Sequence, residues 1–163
     1  MKGTSSVAEE LECLVKRHDI DIIALIDTQE GNGKSKYSPY IQRKYSIYGT
    51  KNKLNHGGVA ILVKKTMLQL YPNHKHIQHH DNFVELVIGP PGNEIHIHAI
   101  YHRPWNNEEL PTLHNRGQRI IAMGDWNCRY YITDTTEAKL TATDENYKTW
   151  MTRQDMTPLT QKV

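Results

Sequence analysis

Short apolar runs, rather than long ones, most constrain how this chain of 163 residues can fold. Residues 20–26, 59–63 and 118–123 are rich in isoleucine and valine. Runs of this length and composition are typical of buried strands, since a helix needs a longer segment. The longest fully apolar stretch, residues 22–26, is too short to cross a bilayer, and no apolar segment follows Lys2. We therefore expect an intracellular protein, nuclear or cytoplasmic, with no membrane partner.

The spacing of apolar residues predicts one helix before these strands. Leu11 and Val15 fall on one face of residues 7–18, and Ser6 with Glu9 has the spacing of a capping box. The polar composition, with a mean hydropathy of −0.68, does not imply disorder because the apolar residues are clustered.

A hairpin is predicted in the middle of the chain. Residues 83–88 and 94–101 flank the turn-forming segment 89–93, which favours two antiparallel strands. His96 and His98 alternate with apolar residues in the second strand, and we expect both to point outward from a half-solvated sheet.

The remaining segments complete one α/β domain over residues 1–163. Residues 31–55 are dense in Gly, Ser, Asn and Lys, and predict a loop with short irregular elements. Residues 106–113 could hold a helical turn or two, and residues 145–153 predict a helix. No repeat of solenoid length is present.

Charge is distributed unevenly behind a net charge of +2. Residues 31–80 contain nine basic and no acidic residues, which leaves 11 basic and 18 acidic residues elsewhere. Tyrosines are interleaved with the first of these basic residues, so the segment could contact phosphates and bases of a nucleic acid. A solvated basic loop whose tyrosines pack in the core is the alternative. The candidate nucleic-acid-binding residues here are Lys34, Lys36, Arg43, Lys44, Lys51 and Lys53.

Two predicted strands end in a carboxylate, at Asp27 and at Asp125. Open α/β sheets place ligand and metal sites at the carboxyl ends of their strands, so the two groups could hold one hard cation. Aspartate also serves as the turn residue that stops a strand, and this alternative stays open.

Polar residues beside these strand ends add chemistry that suits a phosphate. Asp125 and Asn127 are two residues apart and project to the same side of an extended backbone. Tyr101 and Arg103 end another predicted strand, and a phenol and a guanidinium are both suited to phosphate contact.

The chain resembles the endonuclease/exonuclease/phosphatase superfamily, most closely the apurinic-endonuclease-like domain that precedes reverse transcriptase in non-LTR retrotransposons. Four motifs occur in the family's order: Asp27-Thr28 where the family has Gln-Glu-Thr, Gly57-Gly58 opening a strand, Tyr101 with Pro104, and Gly124-Asp125-Trp126-Asn127 where the family has Gly-Asp-Phe-Asn. The resemblance implies part of a four-layer α/β sandwich of the deoxyribonuclease I-like type.

The resemblance also implies roles for single residues. Asp27 would bind a divalent cation, either magnesium or manganese. Glu30 would replace Asp27 as the ligand if the register of the motif is shifted. Asp125 would orient or deprotonate the attacking water, Asn127 would support the phosphate, and Tyr101 would contact it. The substrate would be DNA, and the domain's partner a reverse transcriptase if the chain is part of a longer polyprotein.

Two family features have no counterpart in this sequence. No Asn precedes residue 7 as in the family's first strand, and no Ser-Asp-His motif or any histidine follows His114. We therefore expect an incomplete domain that lacks the first and the C-terminal strands and has little or no nuclease activity alone. The alternatives are a non-catalytic nucleic-acid-binding remnant, a phosphatase acting on lipid phosphates, or no stable protein.

Other metal-binding or aromatic features favour ordinary structural roles. The imidazole-rich segment 74–80 could bind zinc or nickel, but we expect a solvated connecting loop. Cys13 and Cys128 have no C-x-x-C spacing, so neither a disulfide framework nor a zinc site is indicated. Trp105 and Trp150 are expected to be core or rim aromatics.

Overall fold

Two β-sheets pack face to face in the computed structural model, which describes residues 7–28, 37–50, 58–102, 110–113, 118–127 and 142–156. Among these residues, a three-stranded sheet has the order β1-β3-β2 and a four-stranded sheet the order β4-β5-β6-β7. The elements are α1 (Val7–His18), β1 (Ile22–Ile26), α2 (Pro39–Lys44), β2 (Tyr45–Gly49), β3 (Val59–Lys64), α3 (Lys65–Leu70), β4 (Lys75–His80), β5 (Phe83–Ile88), β6 (Ile95–Tyr101), β7 (Arg119–Asp125) and α4 (Ala142–Arg153).

The core lies between the two sheets. Alternate residues of β3, such as Ile61, pack against alternate residues of β5 and β6, such as Leu86 and Ile97. All three are fully buried, and each such aliphatic side chain stabilises the fold by about 1.5–3 kcal/mol. β1 contacts β6 and β7 across the same interface.

Helices cover the outer face of each sheet. α1 and α2 bury Leu11, Val15 and Ile41 against the outer residues of β3, which makes β3 buried on both sides. α4 covers part of the four-stranded sheet, where the indole Nε1 of Trp150 donates a hydrogen bond to the Pro111 carbonyl at 2.8 Å. None of the described helices combines the length and apolar character that a bilayer-spanning helix needs.

Most elements predicted from sequence periodicity are confirmed. α1 has the predicted bounds, β3 extends the predicted strand by one residue, and β5 with β6 forms the predicted antiparallel hairpin. α4 begins three residues before the predicted helix, and Trp150 is buried in the core beneath it. The predicted helical turn falls mostly on undescribed residues, and residues 110–113 are not helical.

The loop prediction is wrong for two segments. Part of the 31–55 segment forms α2 and β2, whose interleaved lysines and tyrosines hide a strand that buries Tyr45. Residues 75–80 form the exposed edge strand β4 rather than a connecting loop, because backbone pairing with β5 needs no apolar side chain.

The two strands at which the carboxylates lie are less buried than predicted. β1 and β7 were predicted to be covered on both faces, yet each pairs with a single strand among the described residues and is only partly buried. β7 runs parallel to β6, with Tyr101 opposite Asp125 in the register.

The prediction that both β6 histidines point outward is confirmed, because Ile97 between them faces the core, but the prediction that they are solvated is wrong. His98 is only 1% exposed, and His96 bonds through Nδ1 to Oε1 of the buried Glu85 at 2.6 Å. Burial lowers the pKa of His98 to about 4, against the opposite pull of the Glu85 carboxylate. Burial raises the pKa of Glu85, but its bonds to His96 and His79 outweigh that effect and leave the pKa below its usual value.

Candidate active site

A chain of hydrogen bonds joins the two sheets at one end of the sandwich. Thr28, directly after Asp27, donates its backbone N–H to the Gly58 carbonyl at 3.1 Å. The Gly58 N–H donates to Oδ1 of Asn82 at 3.3 Å, and the Asn82 carbonyl accepts from the Tyr101 N–H at 2.9 Å. The ends of β1 and β6 are thereby held at the same end of the molecule.

The end of β7 is fixed beside Tyr101 by a second set of bonds. The His102 N–H donates to the Asp125 carbonyl at 2.9 Å, which continues the pairing of β6 and β7. The Asn127 side-chain amide donates to the His102 carbonyl at 2.6 Å, and the Asn127 N–H donates to Oδ1 of Asp125 at 2.9 Å. Asn127 therefore orients the Asp125 carboxylate through its backbone and anchors itself through its side chain.

Gly124 is required by the close approach of β6. A Cβ at this position would lie 1.9 Å from the Ile100 carbonyl oxygen, far inside any van der Waals contact. The glycine lets β7 approach the backbone of β6 closely just before the Asp125 carboxylate.

Trp126 links the same loop to α4. Its ring lies 4.9 Å from the Trp150 ring and 5.2 Å from the Tyr147 ring, measured between centroids. Trp126 turns toward the outer aromatic cluster, while Asp125 on its N-terminal side and Asn127 on its C-terminal side share the bond described above.

Asp27 and Asn127 both have left-handed backbone conformations, with φ of 55° and 48°. Asp and Asn are the non-glycine residues that tolerate this region best, because their short polar side chains bond locally. These turns end the strand and expose the Asp27 carboxylate.

The side chains at this end fit a hard divalent cation. The carboxylates of Asp27 and Asp125 are exposed and come from strands that contact each other across the sandwich. Oxygen donors of this kind are the ligands that magnesium and manganese prefer.

Asn82 is a residue of this end that the sequence analysis missed. It is 5% exposed and bonds to one residue of each sheet, Gly58 and Tyr101. The only signal was its position in the Asp81-Asn82 turn between two apolar runs, which says nothing about a partner in the other sheet.

The two described residues of the proposed nucleic-acid-binding set lie at the opposite end. Arg43 and Lys44 precede Tyr45, which pairs with Lys64, whereas Asp27 follows the residue that pairs with Val59. A five-residue strand separates the two ends by about 15 Å. Lys34, Lys36, Lys51, Lys53, Arg103 and the alternative ligand Glu30 lie outside the described residues.

Acidic residues accompany the basic ones at that opposite end. Nζ of Lys64 lies 2.8 Å from Oδ1 of Asp19 and 3.0 Å from Oδ1 of Asp21. These bonds raise the pKa of Lys64 and hold the pKa of Asp19 below its usual value. The positive charge of Lys64 is therefore already compensated there.

Comparison with known proteins agrees with this architecture. The fold matches a solved structure, the endonuclease domain of TRAS1, a telomere-specific non-LTR retrotransposon, with a TM-score of 0.62 and 14% identity over 98% of this chain and 69% of that one. The chain is also 28% identical over 138 residues to a probable RNA-directed DNA polymerase from transposon X-element of Drosophila melanogaster, covering 80% of this chain and 14% of the relative's length. No family model matches.

Proposed function

We propose that this chain, which has the deoxyribonuclease I-like fold of the endonuclease/exonuclease/phosphatase superfamily, binds a phosphodiester of DNA with a divalent cation at the end of the sandwich that holds Asp27 and Asp125. The observation that carries the proposal is the hydrogen-bond chain from Thr28 through Gly58 and Asn82 to Tyr101. This series of hydrogen bonds holds the ends of strands from both sheets together, so that a phosphate there could be contacted from two sides.

Each side chain at this end has a role in that proposal. Asp125, oriented by the Asn127 N–H, accepts a proton from the attacking water, and the Tyr101 hydroxyl donates to a phosphate oxygen. Asp27 would hold the cation, and the cation would offset charge that develops on the phosphate oxygens.

Little or no hydrolysis by the 163-residue chain belongs to the same proposal. None of the ten histidines follows His114, so no imidazole can be assigned by the family's order of motifs. Its turnover is therefore expected to be slow, whereas its binding of DNA needs only the groups named above. Detectable magnesium-dependent nicking of plasmid DNA that Asp125→Ala abolishes would contradict this part.

The role of Asp27 is tested by measuring how its substitution changes DNA affinity without and with magnesium. The Asp27→Asn variant removes a negative charge, so without cation it should bind a short duplex as tightly as the wild type or more tightly. With magnesium present the variant should bind the duplex at least about three-fold more weakly than the wild type does, because the cation loses a ligand. Fluorescence anisotropy in EDTA and in magnesium measures both arms.

Asp155→Asn is the matched control for this experiment. Asp155 has nearly the same backbone conformation, with φ of 50°, and lies after α4 in an exposed turn. Its substitution should leave both arms unchanged. A different result would favour a non-catalytic nucleic-acid-binding protein: DNA affinity that does not depend on magnesium and that Asp27→Asn changes equally in both buffers.

A further inference from the structure

A separate cluster of metal-ligating side chains lies on the outer face of the four-stranded sheet. Oε1 of Glu85 is 2.6 Å from Nδ1 of His96 and 3.6 Å from Nε2 of His98. One ligand atom from each of the three residues lies within 4.8 Å of the other two. Glu85 pairs directly with His98 across the two strands, so the antiparallel register itself brings the donors together.

His98 is the unusual member of this cluster. It is 1% exposed, yet within the described part of the chain neither of its ring nitrogens has a hydrogen-bond partner. The 3.6 Å approach to Glu85 is longer than a hydrogen bond. Buried polar atoms are nearly always satisfied, so an imidazole beside a carboxylate with no partner among the described residues is a candidate metal ligand.

A β-bulge in the neighbouring strand brings a further imidazole to the Glu85 carboxylate. The register of β4 shifts between Gln78 and His80, so His79 falls outside the regular pairing with β5. Bulges of this kind redirect a side chain. Nε2 of His79 lies 2.7 Å from Oε2 of Glu85, on the second oxygen of the same carboxylate.

We propose that Glu85, His96 and His98 bind a zinc ion, while His79 holds the second oxygen of the Glu85 carboxylate in place. Imidazole nitrogens and a carboxylate oxygen are zinc ligands, and a zinc ion with three protein ligands keeps a fourth position for water. Tetrahedral ligands of these types are about 3.3 Å apart, so the 2.6 Å distance from Nδ1 of His96 to Oε1 of Glu85 must lengthen by less than about 1 Å to admit the ion.

This site is distinct from the candidate active site. His98 precedes Tyr101 by three residues along β6, a distance of about 10 Å. Tyr101 packs against the core between the sheets, whereas Phe83, whose ring centroid lies 5.3 Å from that of His98, belongs to the outer cluster beneath α4. The zinc ion would therefore join β5 to β6 without contacting the proposed DNA site.

Equilibrium dialysis followed by elemental analysis tests the proposal on the full chain. The background is Cys13→Ser/Cys128→Ser, which removes thiol binding. We expect one zinc ion per chain, retained against a competing chelator. Glu85→Gln and His98→Leu should each weaken zinc binding by at least about 100-fold, because a ligand is lost outright. His18→Asn, on the exposed end of α1, is the control that should change nothing.

Thermal unfolding separates a zinc site from a purely structural polar cluster. Saturating zinc should raise the Tm of the background protein by at least about 5 °C, since it binds only the folded state. His98→Leu should keep or raise the Tm in EDTA, since it removes two unsatisfied ring nitrogens, and should lose the zinc-dependent rise.

Two further outcomes decide the location of the ion. Asp27→Asn/Asp125→Asn should still bind zinc, because these residues belong to the other site. The proposal would be overturned if the background protein failed to retain zinc. It would also be overturned if the Glu85→Gln and His98→Leu variants still bound zinc and the His76→Asn variant, changed on the exposed strand β4, did not.

Discussion

At the scale of single residues, backbone conformation decides where the polar side chains of the candidate active site can point. Asp27 and Asn127 end their strands in left-handed turns, and the Asn127 N–H then reaches the Asp125 carboxylate. Gly124 permits the close approach of β6 that precedes this turn. The short Gly-Asp-Trp-Asn motif is thus explained by sterics at its first residue and by hydrogen bonding at its last.

The substitution Gly124→Ala should lower the free energy of unfolding by about 3 kcal/mol or more, because a methyl group would overlap the Ile100 carbonyl and force the two strands apart. Urea unfolding measures the change. Gly92→Ala serves as the control, since a Cβ there meets nothing within 4 Å and only its φ of 81° is unfavourable, at a cost of about 1 kcal/mol. Equal stability of the two variants would contradict the steric argument.

At the scale of elements, α2 and α4 each have a polar contact in addition to an apolar face. Ser38 caps α2 by accepting the Ile41 N–H at 3.3 Å, and Pro39 follows at the first helical turn. α4 is docked by the Trp150 indole, which lies at a tilt against the Trp126 ring and donates a hydrogen bond to the Pro111 carbonyl. Through Trp126 the position of α4 bears on the loop that carries Asp125 and Asn127.

Replacement of Trp150 by Phe tests this docking. A smaller aromatic ring takes the place of the indole and the Pro111 carbonyl loses its donor, so the free energy of unfolding should fall by about 1–3 kcal/mol. Chemical denaturation provides the value. Thr149→Ala, at the exposed neighbour of Trp150 in α4, should change stability by less than about 0.5 kcal/mol. A Trp150→Phe variant as stable as the wild type would show that the bond contributes nothing.

At the scale of the whole molecule, the sandwich has two chemically different ends. One end holds Asp27, Asn82 and Asp125, and the other holds Lys64 with its two carboxylate partners. Thr50 and Gly58, the described residues that flank Lys51 and Lys53, lie at the first end, where Thr50 pairs with Val59. Arg43 and Lys44 therefore lie at the end away from Asp27, whereas Thr50 and Gly58 lie at the same end as Asp27.

If DNA binds at the end that holds Asp27, charge removal should have unequal effects. Lys51→Gln/Lys53→Gln, next to Thr50 in the sequence, should weaken binding of a short duplex and reduce the magnitude of its salt slope by about 2, one for each phosphate contact removed. Arg43→Gln/Lys44→Gln removes the same charge about 15 Å from Asp27 and should leave the slope unchanged. Anisotropy titrations from low to high salt compare the two. A larger effect of the Arg43/Lys44 pair would locate DNA at the opposite end.

Local patterns in the sequence were sufficient for much of the fold. The 3.6-residue period of α1, the turn between β5 and β6 and the β-branched run of β3 each depend on neighbouring residues only, and all three predictions are confirmed. β2 and β4 were missed because their strand character comes from pairing with β3 and β5 rather than from their own side chains.

The sequence by itself determined the motifs, their order along the chain and the resemblance to a known superfamily. Only the tertiary structure decided that Asn82 joins the two sheets beside Tyr101, that Arg43 and Lys44 lie far from Asp27, and that Glu85 and His98 meet on the outer face of the four-stranded sheet. The physical reason is that sequence period sets which residues share a face of one element. Strand register and the packing of elements set which faces meet, and these depend on residues far apart in the chain.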